Sequence, residues 1–159
     1  MTLTPPRYLV LADGKLGIFD AKTANGLIRY RPETVVAVID PAHAGSTTRD
    51  ALGSTAAIPI IATVDEGLAL RPTALVIGVS PPGGALPREW RRAIVSCLER
   101  GLDVVSGLHE FLGDDDEFRS LAQKFGGKLI DLRQVPESQP VASAKAKTTK
   151  AKRVLTVGT

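Results

Sequence analysis

Short apolar runs bounded by glycine, proline and aspartate recur along the chain. They are Tyr8–Ala12, Val35–Ile39, Ile58–Ala62, Ala74–Val79, Asp103–Ser106 and Lys128–Asp131. Each is rich in β-branched residues and none alternates apolar with polar, the pattern of strands covered on both faces of a parallel sheet. Pro59 lacks an amide hydrogen, so the third strand is expected to start late or to lie at an edge. Between the runs the period changes to that of helices. After Pro87, the residues Trp90, Ala93, Ile94, Cys97 and Leu98 fall on one stripe, and Gly101 stands where a helix end favours glycine. A second helix opens with Asp114–Glu117, acids set against the positive helix end. Phe118, Leu121, Ala122 and Phe125 form its expected buried stripe, and Gly126-Gly127 ends it. Shorter helices are expected over about 20–30, 46–52 and 65–70.

Strands alternating with helices predict an α/β fold, a Rossmann-like, doubly wound, mainly parallel sheet of about five or six strands. The expected body covers residues 1–133. Residues 134–153, with Pro136, Pro140 and an Ala/Lys/Thr run, have no periodicity and read as a flexible linker. Residues 154–159 return to a buried-type strand running into Gly158-Thr159, which resembles the opening of a phosphate-binding loop without its lysine and helix.

With 43% hydrophobic residues among 159, the chain has the composition of a soluble globular domain. It has no apolar run near the ~20 residues of a membrane span, and a single cysteine, Cys97, fits a reducing cytoplasm. The net charge of +3 is a tail effect: without Lys145, Lys147, Lys150, Lys152 and Arg153, residues 1–143 carry −2. The tail has no interleaved aromatic or base-reading residues, which argues for a solvated linker over a nucleic-acid site.

In an open parallel sheet, ligands bind beyond the carboxyl ends of the strands, where the strand order reverses. The polar and glycine residues collect there, with Gly14 after the first strand, Asp40 and His43 after the second, Ser80–Gly84 after the fourth and His109 after the fifth. With strand order 3-2-1-4-5, the first and fourth loops flank the switch point. Ser80, Gly83 and Gly84 form either an anion cradle before a helix N-terminus or a turn that needs positive φ. Asp40 is either a ribose-binding acid or an ordinary turn starter. His43 and His109, the only histidines, either supply a general base or tie their loops. Lys22 and Arg29, in an unusually polar first crossover helix, either meet a carboxylate or phosphate or are solvated. The first loop lacks G-x-G-x-x-G, which argues against NAD, and the histidines and acids have no metal-ligand spacing. Cys97 belongs to an apolar stripe and reads as core.

Several of these segments together resemble one family. They are Asp20–Gly26 with Ile28-Arg29-Tyr30, His43-Ala44-Gly45, Ser80–Gly84, Glu89-Trp90-Arg91 and Ser106–Leu112. The family is a bacterial and archaeal one, long catalogued as a conserved domain of unknown function, whose members are known as D-glutamate N-acetyltransferases. The resemblance implies an N-terminal Rossmann-like domain, a linker and a C-terminal P-loop domain, of which residues 154–159 would be the first strand. It implies acetyl transfer from acetyl-CoA to the amine of D-glutamate. The expected partners are a small carboxylate-bearing amine, the P-loop domain and further copies of the chain. The N-terminal half is also similar to the CoA-binding domain of succinyl-CoA synthetases. On this reading His43 and His109 are the candidate bases, and Gly14, Asp40, Ser80, Gly83 and Gly84 bind the cofactor. Lys22, Asn25 and Arg29 bind the substrate. The 159 residues alone are expected to be inactive, or to serve as a non-catalytic CoA- or nucleotide-binding or assembly module.

Overall fold

A computed structural model describes residues 5–17, 19–135, 145–152 and 154. Six strands appear in chain order: β1 (Tyr8–Leu11), β2 (Val35–Ile39), β3 (Ile60–Ile61), β4 (Ala74–Ile77), β5 (Asp103–Ser106) and β6 (Leu129–Asp131). They form one sheet of order β3-β2-β1-β4-β5-β6, with every pair parallel. As Pro59 requires, β3 starts after the proline, and it is also an edge strand.

Five α-helices connect the strands: α1 (Lys22–Tyr30), α2 (Thr48–Leu52), α3 (Val64–Ala69), α4 (Arg91–Leu98) and α5 (Asp116–Phe125). Their starts are written in short polar side chains. Thr47 and Asp50 form a reciprocal capping box on α2, Thr63 caps α3, and Asp115 accepts from the Glu117 and Phe118 amides at α5. Gly53 and Gly126 close α2 and α5 in the left-handed conformation.

Two contacts fix which helix lies on which face. A Cβ on Gly78 would meet Val10 and Ala24, so Val10 points to the face carrying α1. Gly67 of α3 sits against Leu9 and Ile61, so these point to the opposite face, where α4 and α5 also pack. Right-handed crossovers require this division, because the chain moves one way across the sheet to β3 and the other way from β4 to β6.

The core is continuous from Leu9 and Val38 to Trp90, Ile94 and Phe118. Two expectations change. Phe125 is not part of the buried stripe of α5; it is 40% exposed at the helix end. The sixth strand is not covered on both faces: Ile130 is 37% exposed and Leu132, just after it, 61%. Of the expected linker, Lys145–Thr148 form a 3-10 turn. Of the expected strand over 154–159, Val154 alone is described and it is exposed; the remainder, like Pro136 and Pro140, lies outside the described residues. No helix among the described residues is long and apolar enough to cross a membrane.

Candidate functional site

The loops beyond the carboxyl ends of the strands are held together by a few polar ties. The first joins the loops after β1 and β2. Asp40 is fully buried, and its Oδ2 accepts the Leu16 amide at 2.8 Å. Its Oδ1 accepts the His43 amide at 3.2 Å and faces His43 Nδ1 at 3.0 Å. Three donors converge on one carboxyl group, which compensates its burial. Asp40 is thus consumed inside the fold, and what it offers a ligand is the orientation of His43. A carboxylate can only accept, so in its neutral form the imidazole carries its proton on Nδ1 and turns Nε2 outward as an acceptor. The His43 side chain is 39% exposed, so that nitrogen can reach solvent or a ligand.

A second tie crosses the switch point. Trp90, buried at the start of α4, donates Nε1–H to Asp13 Oδ2 at 2.6 Å, and Lys15 Nζ lies 5.7 Å from the centre of its ring. Asp13 adopts φ +49°, a left-handed conformation that short polar side chains tolerate, and Gly14 follows at φ +74°. Beside them a cleft of about 250 Å³ opens at the ends of β1, β2 and β3, with Asp13, Asp65, Glu89, Trp90 and Arg92 in its walls. Sequence reasoning placed Trp90 in the core, where it is, but missed its indole bond to Asp13; the signal was an aspartate next to a glycine at the switch point.

The third tie joins the loops after β4 and β5. Gly84 accepts the His109 and Glu110 amides at 3.0 and 3.3 Å, and Glu110 Oε2 accepts the Leu86 amide at 2.7 Å. Gly84 has φ +68°, and any Cβ there would collide with the His109 ring. Its own amide donates to the Pro81 carbonyl at 2.9 Å and is not aimed at a ligand. Gly83, at φ +77° with nothing within 4 Å of a hypothetical Cβ, remains an open backbone position, and Ser80 is exposed beside it.

The two histidines do not converge. Their loops follow β2 and β5, three strand spacings apart, roughly 14 Å. His43 is held by a buried carboxylate, whereas His109 is exposed and packed against Gly84.

The substrate candidates lie on α1. Asn25 and Arg29 line a cleft of about 440 Å³ with Leu52, Gly53, Ser54 and Thr55. Asn25 donates its amide to the Gly17 carbonyl at 2.8 Å, tying the helix to the loop before it. Arg29 is exposed with its guanidinium 5.5 Å from the Tyr30 ring centre, and Lys22 is exposed outside the cleft.

Residues 41–135 match the model of a Rossmann-like domain of unknown function, DUF1611_N. The chain belongs to this family. Two curated relatives extend the match. A D-glutamate N-acetyltransferase of Tritonibacter scottomollicae is 33% identical over 96% of this chain and 42% of its own length. One of Pseudoalteromonas sp is 34% identical over all of this chain and 44% of its own. The DUF1611_N chain thus spans less than half the length of the curated relatives it matches. Among solved structures, a DUF1611 family protein from Anabaena variabilis superposes with a TM-score of 0.82 at 33% identity, covering 90% of this chain and 41% of that one. An amine dehydrogenase from Mycobacterium smegmatis, at TM-score 0.56, 19% identity and coverage of 79% and 38%, shares the fold.

Proposed function

We propose that the domain supplies the general base and part of the ligand-binding surface of an acetyl-CoA-dependent N-acetyltransferase acting on D-glutamate. The observation that carries this reading is the Asp40–His43 pair, supported by the names of the two relatives. An amine becomes a nucleophile only when it has lost a proton, and an imidazole with a free Nε2 takes one near neutral pH. In the proposed step the amine nitrogen attacks the thioester carbonyl carbon, the N–C bond forms, and the C–S bond breaks. Of the two protons the ammonium group gives up, one leaves with the thiol and one passes to solvent through His43 Nε2. Asp40 acts through His43 as a positioning residue, holding the ring in one tautomer.

The open backbone at Gly14 and Gly83, with Ser80, is the proposed seat of the cofactor's phosphates. Arg29, the cation of the cleft beside α1, is the proposed partner of a substrate carboxylate, with Lys22 nearby on the same helix and Asn25 bracing it. His109 is reassigned as a loop tie. The chain spans less than half of its relatives, and we assign the remainder of the site to a further domain of P-loop type. The 159 residues by themselves are therefore expected to bind ligand without turnover.

The test is kinetic and spectroscopic. In a protein of the relatives' length, His43→Ala is expected to lower kcat by about 10²–10⁴-fold, whereas His109→Ala leaves it within a few-fold. Asp40→Asn should shift the His43 ring nitrogen resonances toward a tautomer mixture even in the 159-residue chain. Wild-type turnover in His43→Ala would end the base assignment, as turnover by the 159 residues alone would end the claim that they are incomplete. A second reading, a non-catalytic CoA- or nucleotide-binding or assembly module, rests on the same partial coverage. It would be favoured by calorimetric binding of acetyl-CoA with no effect of His43→Ala on turnover.

A further inference from the structure

Parallel strands pair residues that point to the same face, so one row of partners can be followed across the sheet. The row Ile60–Val38–Val10–Val76–Val105–Ile130 runs along the face carrying α1. Its first four members are 0–4% exposed, Val105 is only partly buried, and Ile130 is 37% exposed. The neighbouring row on the opposite face, Ala37–Leu9–Leu75–Val104–Leu129, stays at 0% through β5 beneath α3–α5 and is partly exposed only at Leu129 on β6. The face carrying α1 therefore loses its cover over β5 and β6 among the described residues.

The bare strip has a definite shape. Two strand spacings measure about 10 Å, the diameter of one α-helix with its side chains. Its floor is Val105 and Ile130, continued by Leu132, whose amide still bonds the Ser106 carbonyl at 2.8 Å. One wall is α1. Asn25, Ile28 and Arg29 turn one flank of that helix toward the 440 Å³ cleft, so helical periodicity puts Thr23, Leu27 and Tyr30 on the flank toward β5. Tyr30 is 71% exposed there. At the far edge, Val135 is 66% exposed where the chain leaves β6. A parallel sheet is stable when helices cover both faces, and this half-face has room for one.

We infer that the strip over β5 and β6 seats an amphipathic helix from the part of the polypeptide that the relatives carry beyond the region matched here. Two observations select this occupant. The matched region is only 42–44% of each relative, so more chain than this domain must pack somewhere. The strip is also entered directly from the end of β6, through Leu132–Val135, without crossing the sheet. The inference does not depend on the chemistry proposed above.

Site-directed labelling tests it. Ile130→Cys, and Leu132→Cys should the first variant fold poorly, are expected to react with a thiol reagent at the rate of an exposed control, Ser120→Cys on α5, in the 159-residue chain. The native Cys97 does not interfere, being buried with its thiol pushed up to about 12 by desolvation. In the intact Pseudoalteromonas relative, cysteine at the position aligned with Ile130 is expected to react at least about 100-fold more slowly, independently of protein concentration. A photo-crosslinker at that position should join the same chain, at a helical segment outside the matched region. Equal labelling in both proteins would overturn the inference. So would protection that disappears on dilution, or a crosslink to a second copy, either of which would make the strip a homomeric interface.

Discussion

The two faces of this sheet are built from the same kinds of residue and meet different fates. Under α3, α4 and α5, the residues Leu9, Leu75 and Val104 are sealed, and Trp90, Ile94 and Phe118 close over them. On the other face α1 and α2 cover β1–β3 and part of β4, and among the described residues cover then ends. Val105 and Ile130 have the apolar, β-branched character of their buried partners, yet both are partly exposed, Ile130 by 37%. Crossover handedness accounts for the asymmetry, since the helices after β4 and β5 must lie on the side opposite α1. An apolar composition on the unserved side is then a record of something else that packs there.

The largest effect is expected on the sealed face. Phe118 is fully buried and its ring lies 4.4 Å from the Arg91 guanidinium. Phe118→Ala should cost about 3–5 kcal/mol in denaturant unfolding, through lost burial and the cavity left behind. A loss below about 1 kcal/mol would mean that α5 is loosely seated and that the faces differ little.

A smaller effect is expected where α5 is fastened. Asp115 caps the helix and accepts both Arg91 nitrogens, at 2.5 and 3.2 Å. The Arg91 side chain holds the Asp115 carboxyl below its ordinary range, with the Phe118 and Glu117 amides adding to the effect. A depressed carboxyl pKa adds stability that is complete above the unfolded value, near 4, and is lost as pH falls through the folded value. Asp115→Asn keeps a capping side chain and removes the charge, so it should lower stability by up to about 1 kcal/mol at pH 7. Its melting temperature should approach that of the wild type in acid. A gap that stays constant down to pH 2 would show that the charge contributes nothing.

Much of this was legible in the sequence. Six apolar runs became six parallel strands, the delay imposed by Pro59 is visible in β3, and the glycine and acid signals marked the ends of α5. Clustering of Gly14, Asp40, His43, Ser80 and His109 beyond the strand ends was also legible, because the βα alternation alone sends every such loop to one edge. What each residue does there was not. Whether Asp40 meets a ligand or a neighbour depends on a long-range hydrogen bond to Leu16, which spacing does not encode. The separation of His43 from His109 follows from strand order, and the bond from Trp90 to Asp13 spans the switch point. Exposure of Ile130 was hidden for a related reason: a strand covered on one face and a strand covered on both carry the same apolar run when the second cover lies outside the segment.

That last point gives the weakest expected effect and the sharpest discrimination. In the 159-residue chain Ile130 lies on an edge strand, more than a third exposed, on the uncovered face. Ile130→Lys removes little buried area and can extend its amine into water, so the unfolding free energy should change by no more than about 0.5 kcal/mol. A charge on an edge strand also opposes edge-to-edge pairing, so the variant should stay monodisperse to higher concentration in light scattering. The same change at the aligned position of an intact relative would bury an unpaired ammonium against the seated helix, which costs several kcal/mol. Equal effects in the two proteins would show that the two faces differ in exposure alone and that nothing is seated on the open one.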